Sequence, residues 1–209
     1  MNRKAKVVAL LLVMGLSSVL PAAAEGLDVG GMLQLHMKRT RRMLTNVIAA
    51  MPEDKYDYRP VKEVRSFREM AVHLIQDGFS HVGWSAGMSR EESEKLGAKY
   101  EHIKTRAEIL QGLDEMYTWS EKTVAEINEK NATDMVVGMR SERQTRFEAA
   151  MVAFEDQMGH YGNFVVYLRL NGGVPPSTAN ADMERAENQR KNKESGVAAP
   201  APAATEHNH

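Results

Sequence analysis

Residues 154–176, FEDQMGHYGNFVVYLRLNGGVPP, carry both an apolar rhythm and a stop signal, and the other segments read most simply as their packing partners. Phe154, Met158, Tyr161, Val165 and Leu168 recur at helical spacing, which predicts a helix with these side chains on its inner stripe. Asn171-Gly172-Gly173 followed by Pro175-Pro176 predicts its end, because glycine accepts the left-handed cap and proline cannot continue the helix. A second stripe holds Asp156, His160 and Tyr167. Asp156 and His160 are one turn apart and share a face, so together they can contribute to one metal site. Tyr167 reads as a core aromatic.

Two further helix starts are marked by capping boxes, in which a Ser or Thr side chain accepts a helix amide and a Glu three residues on reaches back. They are Ser66…Glu69 and Thr145…Glu148. The first opens a helix with Phe67, Met70, Ala71, Leu74, Gly78 and Val82 on its core face and His73, Asp77, His81 and Trp84 on an adjoining one. Upstream, Leu33, Met37, Leu44, Val47, Ile48 and Met51 predict a helix over residues 32–51. Its Lys38, Arg39, Arg41 and Arg42 are read as a solvated face rather than a phosphate-binding patch. Tyr56 and Tyr58 fall in a loop expected to cover one end of the fold. Ile103, Ala107, Leu110, Leu113, Tyr117, Val124 and Ile127 predict a third long helix over residues 103–128. The polar stretch 89–100 is read as a loop with at most a short helical turn, and Met135 to Met139 as an extended lead-in to the last helix.

The first 24 residues have the order of a secretory signal: Arg3, Lys4 and Lys6, an apolar run from Val7 to Leu20, then Pro21-Ala22-Ala23-Ala24. The run is shorter than the roughly 20 residues of a bilayer span, so cleavage after Ala24 is expected, with no retained membrane anchor and a periplasmic or secreted product. Removing those three basic residues from the chain's 27 leaves a small excess of its 28 acidic ones, which gives no support to nucleic acid as partner. The chain has no Cys, so a metal would have to be held by His and carboxylates. Residues 25–176 suffice for one domain with a full core. Residues 177–209 lack aromatics, run through mixed charges into an Ala-Pro tract, and are expected to be a disordered tail. The tail's His207 and His209 are read as incidental.

Two blocks resemble the DinB-like family of metal-binding four-helix bundles. One is His160-Tyr161-Gly162-Asn163 with the Tyr-Leu-Arg run and the Val174-Pro175-Pro176 end. The other is residues 50–60, then Glu63-Val64-Arg65-Ser66-Phe67 and a helix carrying His73. The likeness covers about residues 32–176 and is weakest between 85 and 144. The family shares its name, but not its fold, with an error-prone DNA polymerase. The resemblance implies an all-α, up-down-type four-helix bundle with a divalent transition metal (Zn, Ni, Mn or Fe) between the second and fourth helices. Carried over by position, its ligands are His73, Asp156 and His160, with Asp standing where a third His is usual. Asp77, and after it His81, could add a ligand or fix an imidazole tautomer.

The function expected on this basis is that of an exported metal-dependent hydrolase acting on a small molecule. Export argues against chemistry with cytosolic thiols. The alternative is a non-catalytic envelope bundle with a degenerate metal site, its Met37, Met43, Met51, Met70, Met151 and Met158 lining an adaptable ligand or protein pocket. A homodimer pairing along exposed helix faces is open.

Overall fold

The computed structural model describes residues 28–138 and 141–194. The expected signal segment and residues 195–209 of the expected tail lie outside this range. Four long helices form the body: α1 (Val29–Ala50), α2 (Phe67–Ser85), α4 (Arg106–Ala125) and α5 (Arg146–Leu170). A short α3 (Arg90–Ala98), a hairpin of β1 (Met135–Val137) and β2 (Arg143–Thr145), and a terminal α6 (Pro176–Glu194) complete it.

Inter-helix contacts fix the directions. Phe67 meets Phe164 and His73 meets His160, so α2 and α5 are antiparallel. Arg41 pairs with Asp114 and Glu121, while the Arg106 side chain reaches the Ala49 carbonyl, so α1 and α4 are antiparallel as well. Helices α2 and α4 run the same way, with Gly78 set against Met116 and Phe79 against Trp119. Parallel neighbours need a return path, and α3 supplies it by running back along α2. Its close approach depends on small residues: a methyl group on Gly83 would lie 2.7 Å from Ser93, and one on Gly97 would lie 3.0 Å from the Gln76 backbone.

The polar stretch expected as a loop is therefore mostly helix. Its start is a capping box of Ser89 and Glu92, and α4 begins with another at Thr105 and Glu108. On α4 the inner positions include Ile109, Leu113, Met116 and Tyr117, while Ala107 is exposed. The lead-in at residue 135 is a strand of the hairpin. The end of α5 is as expected: Asn171 caps it, Gly172 has φ +77°, and the Gly173 amide donates to the Leu168 carbonyl.

Two further expectations are corrected. On α5 the anticipated stripe holds at Phe154 and Leu168, with Tyr161 and Val165 packed against the core, but Met158 is 39% exposed, and Ala150, Ala153, Gln157, Phe164 and Tyr167 are buried as well. The face turned to α2 carries Asp156 and His160. Disorder from Ser177 is also overturned as far as Glu194, because α6 is a helix that buries no residue. It starts with Pro176 at a position where the missing amide costs nothing. Pairs one turn apart, Glu187 with Lys191 and Arg190 with Glu194, add local support that a search for apolar faces does not register.

The candidate metal centre between α2 and α5

Ser66 fixes the start of α2 by accepting the Glu69 amide, with the Glu69 carboxylate on the Ser66 amide, so the phase of every later residue on α2 is set. His73, Asp77 and His81 then follow one another at single-turn intervals toward α5. Thr145 and Glu148 set the phase of α5 in the same way, placing Asp156 and His160 opposite. Below the centre, the Tyr167 hydroxyl donates to the Arg65 carbonyl at 2.7 Å and its ring packs on Tyr58 and Phe67.

His73 Nε2 lies 3.0 Å from Asp77 Oδ2. The His73 and His160 rings stand perpendicular with centroids 5.1 Å apart. Ligand atoms of His73, Asp77 and His160 all fall within 4.8 Å of one another. Asp156 is not a member of that group. Its Oδ2 sits 3.5 Å from His160 Nε2 and 3.7 Å from His81 Nδ1, one step further toward Trp84, whose ring packs on His81 at 4.8 Å. Of the three ligands carried over from the family, the fold thus joins His73 and His160 and seats Asp77 with them. Asp77 was legible, because His73 and Asp77 repeat on α2 the i, i+4 spacing of Asp156 and His160 on α5.

Burial holds the His73 imidazole down at about 4, with Arg65 and His160 adding to the effect and Asp156 opposing it. His81 is lowered for the same leading reason, against the pull of Asp156 and Asp77. Both rings are neutral near pH 7 and so keep a lone pair for a ligand bond. Asp77 is raised, chiefly by burial and further by Asp156.

The donor set fits a divalent ion. Two imidazoles and a carboxylate are borderline ligands suited to Zn²⁺ and its neighbours. Donor atoms each about 2.1 Å from one ion lie roughly 3.0–3.4 Å apart, which the His73–Asp77 spacing already approaches. Beside this set, His81 Nδ1, Asp156 Oδ2 and His160 Nδ1 are buried without a hydrogen-bond partner. Buried polar atoms are rarely left so, and their convergence marks a site that packing alone does not account for.

A cleft of about 670 Å³ opens beside His160. His160, Asn163 and Tyr167 of α5 form one wall and the segment 59–65 the other.

Comparison with known proteins agrees with this architecture. The profile of the DinB family matches residues 27–194. Among solved structures, a member of the DinB family from Exiguobacterium sibiricum superposes with a TM-score of 0.55 at 18% identity, covering 69% of this chain and 93% of that one. The DinB-like YjoA of Bacillus subtilis gives 0.56 at 15% identity, with 68% and 94% covered. A DinB-like protein from Bacillus cereus gives 0.53 at 14%, with 70% and 92% covered. Comparison with curated proteins gave no match. At these identities the neighbours speak for the fold alone. With the profile spanning the bundle and its terminal helix, the chain belongs to the DinB family.

Proposed function

We propose that the protein is an exported metal-dependent hydrolase of a small molecule, with one divalent transition ion held by His73, Asp77 and His160. The observation that carries this reading is the convergence of those three side chains from two helices. A bound ion supplies Lewis acidity toward a substrate oxygen. The chain's own residues supply the rest. His73 is kept neutral and ready to bind, Asp77 offsets the ion's charge, and Asp156 borders His160. The cleft beside His160 gives access from solvent. The charged start, apolar run and small-residue end of residues 1–24 support export, and intact-mass analysis of the envelope fraction is expected to find an N-terminus at Glu25.

Metal content tests the centre. A chain ending at Glu194 lacks His207 and His209 and is expected to retain about one equivalent of Zn²⁺, Ni²⁺, Mn²⁺ or Fe²⁺ after dialysis. His73→Ala and His160→Ala should each abolish that uptake. Asp77→Ala should weaken it more than Asp156→Ala; the reverse order would make Asp156 the third ligand. Chelation should remove hydrolysis of a chromogenic ester or phosphoester panel. A protein that holds its ion yet hydrolyses none of them would be a metal-bearing binding bundle.

A further inference from the structure

The cleft beside His160 has a chemical character of its own. Arg59 is committed, with its guanidinium on both carboxylate oxygens of Glu69 at 2.7 and 2.6 Å and on the Val64 carbonyl. Glu63 faces Lys62 at 3.7 Å. Arg65 has no ion-pair partner among the described residues, although it lines the cleft and is near enough to act on both His73 and Asp77. Its backbone is held in place: the carbonyl accepts from Tyr167, and the next two amides are engaged by Glu69 and by the Tyr58 carbonyl. Around this one uncommitted cation lie Val61, Val64 and Met70, with Val61 55% and Val64 39% exposed. The volume is that of a small-ligand site.

We propose that this cleft is the substrate site and that it takes a small organic anion with an apolar body, its acidic group paired with Arg65 and its body against Val61, Val64 and Met70. A guanidinium offers a planar set of donors matched to a carboxylate or phosphate edge, and the Asn163 side-chain amide on the opposite wall can add a further donor. His160, which lines the cleft, also belongs to the candidate metal centre and so joins the two. As a substrate assignment this rests on the metal-dependent reading; as a binding site it does not.

The test uses the full chain, benzoate as the anionic probe and its neutral isostere benzamide, followed by amide and side-chain NMR shifts, once with chelator and once with Zn²⁺. Benzoate is expected to shift Asn163, Tyr167 and the Arg65 Nε–H in both conditions. Benzamide should bind at least tenfold more weakly. R65Q should raise the benzoate Kd at least tenfold with zinc stoichiometry unchanged, and R65K should recover part of the loss. Equal binding of benzamide, unchanged benzoate binding by R65Q, or shifts centred outside the cleft would each overturn the proposal. Zinc uptake without benzoate binding would remove the cleft assignment and leave the metal centre standing. Arg65-dependent benzoate binding without zinc uptake would do the opposite.

Discussion

The two antiparallel interfaces of the bundle are built differently. Along α1 and α4, Leu33, Met37, Leu44, Val47 and Ile48 of the first and Ile109, Leu113, Met116 and Val124 of the second are all buried, and the charged pairs of Arg41 join the two helices nearer the surface. Between α2 and α5 the same kind of surface is interrupted by His73, Asp77, His81, Asp156 and His160, with polar atoms of His81, Asp156 and His160 left unpartnered. Apolar burial on the first side stabilises the fold, and desolvated polar groups on the second oppose it. Arg106 Nε is also unpartnered at the α1–α4 end, but the unpartnered atoms of His81, Asp156 and His160 gather on the α2–α5 seam, where ligand atoms converge.

Replacing side chains on each seam should give effects of different size and sign. Leu44 is fully buried, so Leu44→Ala should cost about 2–5 kcal/mol through lost transfer energy and a cavity. On the other seam, Asp156→Leu removes a carboxylate oxygen that is buried without a partner, and the metal-free variant should be at least as stable as the parent. Chemical denaturation of both proteins in chelator provides the check. A loss in Asp156→Leu comparable to that in Leu44→Ala would mean that the polar seam is structural after all.

Acid should discriminate the seams next. His73 and His81 have folded-state values below the unfolded value of about 6.5, His73 at about 4. Between those values the unfolded chain binds more protons, so the stability that neutral imidazoles contribute above pH 6.5 is lost as pH falls toward 4. Asp77 acts in the opposite sense: its raised value costs stability at neutral pH and releases that cost on protonation. Two histidines against one carboxylate should leave a net loss. The denaturation midpoint of metal-free protein should fall between pH 7 and 4.5, and His73→Gln should flatten the slope. An equally steep slope in that variant would place the titrating group elsewhere.

The same contrast explains what could be read from the sequence. On α1 the hydrophobic face is the buried face, and Leu33, Met37, Leu44, Val47, Ile48 and Met51 are all inside, as their spacing predicts. On α5 the two faces part company, and an apolar stripe alone puts Met158 inward while missing Gln157, which accepts from the buried Tyr117 hydroxyl at 2.9 Å. Met151 is likewise 38% exposed, so the notion of a Met-lined interior holds only for residues such as Met37, Met51 and Met70. His73 and His160 were within reach because family position and helical spacing agree there. The choice between Asp77 and Asp156 was not, since both lie one turn from a histidine and only the relative rotation of α2 and α5 decides which carboxylate faces the pair. The Ser89…Glu92 and Thr105…Glu108 boxes follow the same rule as the two that were read; the first opens a polar segment where no apolar run draws attention to it, and the second lies just inside the apolar stripe that begins at Ile103.

The smallest expected effect lies outside both seams. Helix α6 follows the stop at Gly172, buries no side chain, and is tied to the body by Tyr161 to Ser177 at 2.8 Å and a longer Arg169–Thr178 contact at 3.4 Å, both exposed. Exposed contacts of this kind contribute little, and the i, i+4 pairs of α6 support the helix itself rather than its docking. A chain ending at Pro176 should therefore lose less than about 1 kcal/mol, or roughly 2–4 °C in Tm for a domain of this size. Thermal unfolding of that chain beside one ending at Glu194 gives the comparison. A larger fall would mean that α6 packs on α1 in solution more firmly than its exposure indicates, and the bundle would then have to be counted with a fifth helix.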